Sequence, residues 1–290
     1  MPNTIALAKN YTSLLDEVYR SASVTADLTS DAKMCRAGAN ANEIVYPQIS
    51  VGGLGDYDRN SGYTKAAVDL KWMTAQFNYD RGAKIEVDVM DNEESRNIAF
   101  SMAGATLQRE KVAPEADAFT FATLAAVEGI SKAAAATYAS AVEFLEALIE
   151  AKTVMDEDEV PEEGRILYAT PTLLNGVMAL DTTKSREILN AFAVRKKVPQ
   201  SRFYTAIDLL DGKTAGEELG HYQKASNAKD INFMIIHKPA IIKFDKHIAS
   251  NIIPAALNPD ADGDISKYRK YGLVDVYRNK VAGIYLSHKE

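Results

Sequence analysis

The sequence has very little cysteine and no long apolar runs, and each absence excludes a class of protein. Cys35 is the only cysteine among the 290 residues, so no disulfide can form within the chain. This fits a reducing cytoplasm, where we expect the protein to be made and to act. Residues 1–20 lack the basic start and unbroken apolar core of a secretory signal. No apolar run approaches the ~20 residues of a membrane span, so we expect no membrane partner.

Basic residues are also fewer than acidic residues, which argues against tight binding of nucleic acid. The chain carries 33 Lys and Arg residues against 40 Asp and Glu residues, a formal net charge of -7. The sequence therefore shows neither the basic character nor a recognition motif typical of a DNA-binding module. An acidic protein is still compatible with lining a space that holds DNA, provided that it does not bind the DNA tightly.

The motifs that usually carry catalysis or metal binding are missing too. The stretch Asp260–Asp264 has glycine fourth and Tyr271 at the twelfth position, whereas a calcium loop needs glycine sixth and a carboxylate twelfth. The histidines include no pair at the four-residue spacing of a helical zinc site. Gly52–Gly55 lacks the Gly-Lys-Ser/Thr ending of a phosphate-binding loop. We therefore predict no catalytic residue, no cofactor and no metal site.

What the sequence does contain is a strand-patterned segment rich in glycine and tyrosine, residues 43–90. Glu43–Ser50 has the composition of a strand, and residues 68–72 alternate between apolar and polar side chains as in a half-buried strand. Residues 85–89 alternate in the same way. Glycine and aspartate predict a turn at Asp80–Gly82. The whole segment therefore predicts a protruding β-hairpin or small sheet.

Large side chains in this segment are predicted to need a partner surface. Aromatic rings do not usually remain in water in groups, so rings on a protruding hairpin indicate contact with another chain. The residues that we expect to contact another subunit are Leu54, Tyr57, Tyr63 and Trp72.

The following segment, residues 91–128, predicts a helix several times the usual length. Asp91 is suited to cap its start, Pro114 predicts a kink or break, and Gly129 predicts its end. Without a break, the helix would span roughly 55 Å. A long flap hinged on a long helix is unusual for an enzyme and suits a protein that reaches over a neighbour. We therefore predict first a self-assembling shell subunit, and only second an enzyme.

The rest of the chain mixes predicted helices and strands without strict alternation. Arg165–Pro171 predicts a buried strand that leads into a helix, and Ile231–His237 predicts another strand. Phe203–Ile207 is a further strand candidate. Residues 271–277 and 281–286 predict a closing hairpin. This order favours an α+β fold.

Several stretches, in this order along the chain, are similar to those of one known family. They are Ala37–Ile44, Gly53–Tyr57, Asn60–Tyr63, Phe77–Gly82, Asp91–Glu94, Arg165–Pro171 and Ile231–Ala240. In the residues of these stretches and in their order along the chain, the sequence resembles the major capsid proteins of tailed bacteriophages, which have the HK97-type fold. The resemblance covers nearly the whole chain, although no single motif is as specific as a zinc-ligand pattern.

The resemblance implies a division of the chain into five parts. Residues 1–42 would be an N-terminal arm, residues 43–90 the extended E-loop that lies over an adjacent subunit, and residues 91–130 the spine helix of the peripheral P-domain. Residues 131–245 would be mainly the axial A-domain, which meets its copies at the centre of a hexamer or pentamer. Residues 246–290 would be strands that return to the P-domain.

The resemblance also implies a function and partners. The chain would assemble into hexamers and pentamers of an icosahedral phage head that encloses double-stranded DNA. It would reside in the virion after assembly in the host cytoplasm. The implied partners are other copies of the chain, scaffolding and portal proteins, and packaged DNA held without sequence recognition.

Two alternatives stay open on the sequence. An encapsulin-type bacterial compartment shares this fold and would also be a structural shell. A cytoplasmic α+β enzyme for a small molecule would require a concave pocket with convergent polar groups, of which the sequence gives no sign.

Overall fold

The structure is a computed structural model that describes residues 23–30, 36–37, 42–60, 62–94, 98–217 and 220–290. Cys35 and most of the predicted N-terminal arm, residues 1–42, lie outside the described residues. The described part mixes helices and strands, which confirms the predicted α+β class.

The elements are numbered in chain order. The strands are β1 (Arg36–Ala37), β2 (Glu43–Val51), β3 (Val68–Gln76), β4 (Tyr79–Asp88), β5 (Ser131–Lys132), β6 (Arg165–Ala169), β7 (Val194–Lys197), β8 (Ile207–Leu209), β9 (Tyr222–Lys224), β10 (Ile231–His237), β11 (Ile241–Ile253), β12 (Gly263–Val276) and β13 (Ile284–His288). The α-helices are α1 (Val89–Glu94), α2 (Ile98–Leu107), α3 (Ala113–Ala126), α4 (Ala141–Glu157), α5 (Pro171–Leu180) and α6 (Thr183–Asn190).

A five-stranded sheet forms the largest core, in the order β5-β13-β10-β6-β7. Its central strands are buried on both faces, and their successive side chains point alternately into two hydrophobic clusters. Ile166 and Tyr168 of β6 belong to a cluster that includes Phe121 of α3. Leu167 of β6 belongs to the other cluster, with Phe144 of α4. Helices on both faces thus explain the continuous apolar runs of β6 and β10, both of which were predicted as strands and are confirmed.

A second sheet has the order β11-β12-β4. Strands β11 and β12 form a long antiparallel hairpin whose register shifts between Asp245 and His247. Strand β4 pairs antiparallel with β12 along its whole length, from Tyr79 opposite Gly272 to Asp88 opposite Gly263. Strand β4 is therefore part of the body of the molecule.

The predicted turn at Asp80–Gly82 is wrong, because these residues lie inside β4. Gly82 lies opposite Arg269 of β12, and a Cβ atom on Gly82 would lie 2.9 Å from the carbonyl oxygen of Tyr268. The glycine therefore permits a close approach of two strands instead of a turn. The protruding hairpin consists of β2 and β3, and the short strand β1 pairs with β2 near its base.

The predicted long helix is divided near its proline. Helix α2 ends at Leu107, a π-helical turn covers Gln108–Val112, and α3 begins at Ala113. Pro114 has no N–H to donate, and the wider π turn before it accommodates the interrupted hydrogen-bond ladder. The predicted break is confirmed, and Gly129 follows the end of α3 with a φ of 85°. No helix in the described chain is long and apolar enough to cross a membrane.

Two strand predictions in the C-terminal half are wrong. Strands β12 and β13 do not form a hairpin, because β12 lies between β11 and β4 whereas β13 lies between β10 and β5. The 3-10 turn Arg278–Gly283 carries the chain from one sheet to the other. Of the predicted strand Phe203–Ile207, only Ile207 lies in a strand, and Phe203 is a buried core residue.

Candidate functional site

The hairpin of β2, β3 and the loop between them, residues 43–76, is called the flap below. Its base is folded into the molecule: Ile44, Tyr46 and Ala75 are at most 5% exposed. These side chains share a cluster with Ile242 of β11 and Leu273 of β12. The base of the flap therefore packs on the second sheet as an ordinary part of the core.

The flap face that is buried at the base becomes polar further out. Gln48 lies opposite Lys71, and Ser50 lies opposite Asp69. Because side chains two residues apart share a strand face, these four residues continue the face that carries Tyr46 at the base. Lys71 Nζ lies 2.7 Å from Asp69 Oδ2, and this hydrogen bond raises the pKa of Lys71. This surface is suited to contact with water.

The opposite face of the distal flap carries a continuous apolar stripe. The register places Pro47 opposite Trp72, Ile49 opposite Leu70, and Val51 opposite Val68. We call these six residues the distal stripe. Ile49 is 61% exposed, and Leu70 and Trp72 are each 51% exposed. Burial of one such side chain stabilises by about 1.5–3 kcal/mol, so an exposed stripe of this length indicates a partner surface.

The loop between the strands, residues 52–67, presents more apolar side chains. The rings of Tyr57 and Tyr63 lie 4.8 Å apart. Between them, the Gly62 N–H donates to the Asp58 carbonyl oxygen at 2.7 Å, which closes a small turn. Tyr63 is 88% exposed, and Leu54 is fully exposed. The tip of the flap therefore presents a pair of adjacent rings.

The predicted contact residues are all exposed on the flap, but they form separate groups. Tyr57 and Tyr63 lie together in the loop, whereas Trp72 belongs to the distal stripe. Their contact with another subunit stays a prediction. The other five residues of the distal stripe, Ile49 and Leu70 among them, were not predicted as contacts from the sequence. The alternation of apolar and polar residues over 68–72 indicates the half of the stripe that lies on β3. It does not show which face of the strand packs on the rest of the molecule.

Next to the flap, β4 is fastened to α3 by a buried ion pair. Arg81 Nε donates to Glu115 Oε1 at 2.7 Å, and Tyr79 Oη donates to the same oxygen at 3.1 Å. Arg81 Nη2 also donates to the carbonyl oxygens of Leu210 and His221. Burial alone would raise the pKa of Glu115, but the contacts with His221 and Arg81 lower it. Glu115 is therefore a charged anchor for the strand that follows the flap.

A cavity of about 590 Å³ lies beside this ion pair. Its polar lining includes Arg81, Glu115, Lys111 and Lys213, so it is the kind of pocket that the enzyme alternative requires. Arg81 and Glu115 are bonded to each other, and a lowered pKa is the opposite of what a general acid needs at neutral pH. Among the described residues, no group of three or more His, Cys, Asp or Glu is placed to hold a metal ion. We assign no catalytic role to this cavity.

Comparison with known proteins gives matches only at the level of structure. No protein-family model matches the sequence, and no curated protein matches it. A structure from Mycobacterium phage Che8 is similar, with a TM-score of 0.62 and 14% sequence identity over 91% of this chain and 90% of that chain. The capsid of cyanophage P-SCSP1u has a TM-score of 0.61 and 12% identity over 93% of this chain and 88% of that chain.

A similar structure also comes from outside the phages. A virus-like particle from Pyrococcus furiosus has a TM-score of 0.59 and 9% identity over 97% of this chain and 99% of that chain. At such low identities, the likeness establishes the fold. It agrees with the resemblance seen in the sequence: the chain has the HK97-type fold of tailed-phage capsid proteins.

Proposed function

We propose that this chain is the structural subunit of a bacteriophage head. The observation that supports this proposal most directly is the distal stripe, which a capsid-type fold holds in fixed register away from its own core. In a shell, each flap would lie over an adjacent subunit, and the stripe would be buried there. Tyr57, Tyr63 and Leu54 would add contacts at the tip.

The proposed assembly consists of hexamers and pentamers that close into an icosahedral shell. Each subunit makes modest contacts with each neighbour, and closed symmetry multiplies these contacts. The shell would enclose double-stranded DNA without reading its sequence, which is consistent with the net charge of -7. Scaffolding and portal proteins are the further partners that we propose. The protein would be assembled in the host cytoplasm and would reside in the virion.

The proposed parts of the subunit follow the resemblance. Residues 1–42 would be the arm, residues 43–90 the E-loop, and residues 91–130 the spine helix. Residues 131–245 would form mainly the axial domain, and residues 246–290 would return to the peripheral domain. Within the E-loop, β2 and β3 would supply the reach, and β4 would supply the attachment to the second sheet.

The direct test is expression of the full chain alone, with particle mass measured by light scattering and the same fractions viewed by negative-stain electron microscopy. Closed uniform shells are the expected result. Free hexamers or pentamers would agree with a capsid subunit that waits for a scaffold. A stable monomer or dimer at high concentration would contradict the proposal.

The observations favour the capsid proposal over both alternatives. A compartment shell of the encapsulin type would share the fold, but the matching structures are mostly phage capsids. An enzyme would need a set of convergent polar groups with assignable roles, and in the cavity described above the Arg81 and Glu115 side chains are ion-paired with each other.

A further inference from the structure

Residues Ser23–Ser30, which we call the clip, form a short docked segment ahead of β1. Ser23, Thr25 and Leu28 are buried, and Ala26–Leu28 form one 3-10 turn. The clip belongs to no strand, so individual hydrogen bonds hold it instead of a β-ladder. One of them joins the Ser30 backbone N–H to the Lys243 carbonyl oxygen at 3.0 Å. Its attachment therefore depends on a few specific groups.

The first of these groups is the carboxylate of Asp117 on α3, which is fully buried. It accepts hydrogen bonds from Ser23 Oγ at 2.7 Å and from Thr25 Oγ1 at 2.7 Å. It also accepts from the backbone N–H groups of Val24 at 3.0 Å and Thr25 at 3.1 Å. Arg202 Nη1 donates to it at 3.1 Å. One buried charge thus fixes the backbone of the clip to α3.

The second group is the ammonium of Lys243 on β11, which is 4% exposed. Its Nζ donates to Thr25 Oγ1 at 2.6 Å and to the Thr25 carbonyl oxygen at 3.0 Å. Burial lowers the pKa of Lys243 to about 8. Ser30 Oγ donates to the Ile241 carbonyl oxygen at 2.7 Å and accepts from the Lys243 N–H at 2.9 Å. The clip is therefore also fixed to the second sheet.

The clip reaches the five-stranded sheet as well. Lys196 of β7 donates to the Val24 carbonyl oxygen at 3.0 Å and pairs with Asp27. Leu28 is buried in the cluster that contains Ile236 of β10 and Val274 of β12. This eight-residue segment thus contacts α3, the five-stranded sheet and the second sheet.

The two sheets pack on each other through a shared apolar cluster, and the clip adds a second, mainly polar link between them. Leu28 is the only large apolar side chain of the clip that is fully buried. Most of the other contacts are hydrogen bonds to the charged groups of Asp117, Lys243 and Lys196, and Ser30 adds hydrogen bonds to the backbone of β11. Hydrogen bonds to charged groups are directional and strengthen one another, which favours docking and detachment of the segment as a unit. A two-state element of this kind is what a switch in subunit shape requires.

We propose that the clip is a releasable lock: docked, it fixes the five-stranded sheet relative to the second sheet, and detached, it lets the angle between them change. The lock is a property of the single subunit. Its use, a change of subunit shape within a shell, rests on the proposed function.

The test is hydrogen exchange of the full chain, compared between wild type, Thr25→Val and Thr29→Ala. Thr25→Val keeps the side-chain shape and removes the hydroxyl that joins Asp117 to Lys243. Thr29→Ala is the matched control, because the Thr29 hydroxyl is exposed and bonds only within the clip, to Ala26. Asp117→Asn, which keeps the shape and removes the charge, is the second test variant if Thr25→Val does not fold.

We expect Thr25→Val to raise amide exchange at least tenfold in the clip, in α3 and at Ile241–Lys243 of β11. Amides inside β6 and β10 should keep their wild-type rates, and Thr29→Ala should match wild type throughout. If amide exchange rose uniformly, in β6 and β10 as well, the clip would only add to global stability. If the exchange rates at β11 did not change, the clip would not restrain the second sheet. Either result overturns the proposal.

The same samples separate this inference from the proposed function. Wild-type chain that never forms shells would contradict the capsid proposal and leave the exchange comparison valid. Wild-type shells together with unchanged exchange in Thr25→Val would overturn the lock and leave the capsid proposal standing.

Discussion

The base and the distal half of the flap belong to the same two strands but bury opposite faces. At the base, the face with Ile44, Tyr46 and Ala75 is apolar and packs on the body. In the distal half, that face is polar, and the opposite face carries the apolar residues, such as Ile49 and Leu70. The base is therefore part of the folded core, whereas the distal half presents an exposed apolar face that suits the proposed contact with an adjacent subunit.

The comparison shows that the same alternation serves two purposes in one hairpin. Because a strand's side-chain period is two, the apolar set changes face when the pattern shifts by one residue, between Tyr46 and Pro47. On β3 the same shift occurs between Met73 and Trp72. The apolar residues change face at opposed positions on β2 and β3. We interpret this point as the boundary between the surface that packs on the body and the surface proposed to contact another subunit.

We expect the largest effect from removing the distal half of the flap while keeping its base. Residues 47–72 would be replaced by Asn-Gly, which joins Tyr46 to Met73, its cross-strand partner. We expect the melting temperature to stay within a few degrees of wild type while closed shells disappear. Calorimetry and electron microscopy measure the two effects.

Normal shells from this deletion would contradict the role of the distal flap. The deletion has to stop before β4. A deletion that extends to Lys84 would also remove half of the strand that pairs with β12, and loss of shells would then have two explanations.

A single charge on the distal stripe should also prevent assembly. Ile49→Asp would place a carboxylate where the stripe meets its partner, and burial of an unpaired charge costs several kcal/mol at each copy of the contact. The matched control is Gln48→Asp, its neighbour on the polar face, opposite Lys71. We expect Ile49→Asp to stay folded and unassembled and Gln48→Asp to assemble, as measured by light scattering. Equal assembly of both variants would remove the distinction between the faces.

Truncations at the base and in the stripe should separate stability from assembly. Tyr46→Ala removes a ring that is 3% exposed, and we expect a loss of about 3–5 kcal/mol in the free energy of unfolding. Leu70→Ala removes a side chain that is 51% exposed, and we expect a change within about 0.5 kcal/mol. Urea unfolding of unassembled protein measures both values. Similar losses for the two variants would contradict the proposed boundary.

The smallest predicted effect is pH dependence at the attachment of β4. The pKa of Glu115 is lowered in the folded chain, so its contribution to stability is present above the unfolded-state value and is lost as pH falls through the folded value. We expect Glu115→Gln to be less stable than wild type at neutral pH, with the difference shrinking below about pH 4.5. The exposed Lys71–Asp69 pair is the contrast, and Lys71→Ala should leave the melting temperature unchanged. A pH-independent difference for Glu115→Gln would contradict this account.

The sequence predicts the elements whose pattern is local. The break near Pro114 and the strand Ile231–His237 follow from proline chemistry and from a continuous apolar run, and both are present. The predicted turn at Asp80–Gly82 fails because glycine serves two purposes, and only the partner strand decides between a turn and a close approach. The closing hairpin fails because neighbouring strands can join different sheets.

The flap shows the same limit at the candidate site. Composition identifies the segment and the exposed residues Tyr57, Tyr63 and Trp72. The pairing of Ile49 with Leu70, however, depends on the register between two strands that are separated by the loop of residues 52–67. The hydrogen bonds to Asp117 could not be predicted from the sequence either, because their donors, Ser23 and Arg202 among them, lie far from Asp117 along the chain.

Burial of the distal stripe on assembly can be measured directly with Trp72, the only tryptophan in the chain, which lies on that stripe. Its emission maximum and its quenching by acrylamide would be measured for the same protein before and after assembly into particles. The account predicts a shift of the emission to shorter wavelength and a several-fold loss of quenching on assembly, because a neighbouring subunit covers the stripe. Unchanged emission and quenching in fully assembled particles would show that the stripe still faces water, and would contradict the account.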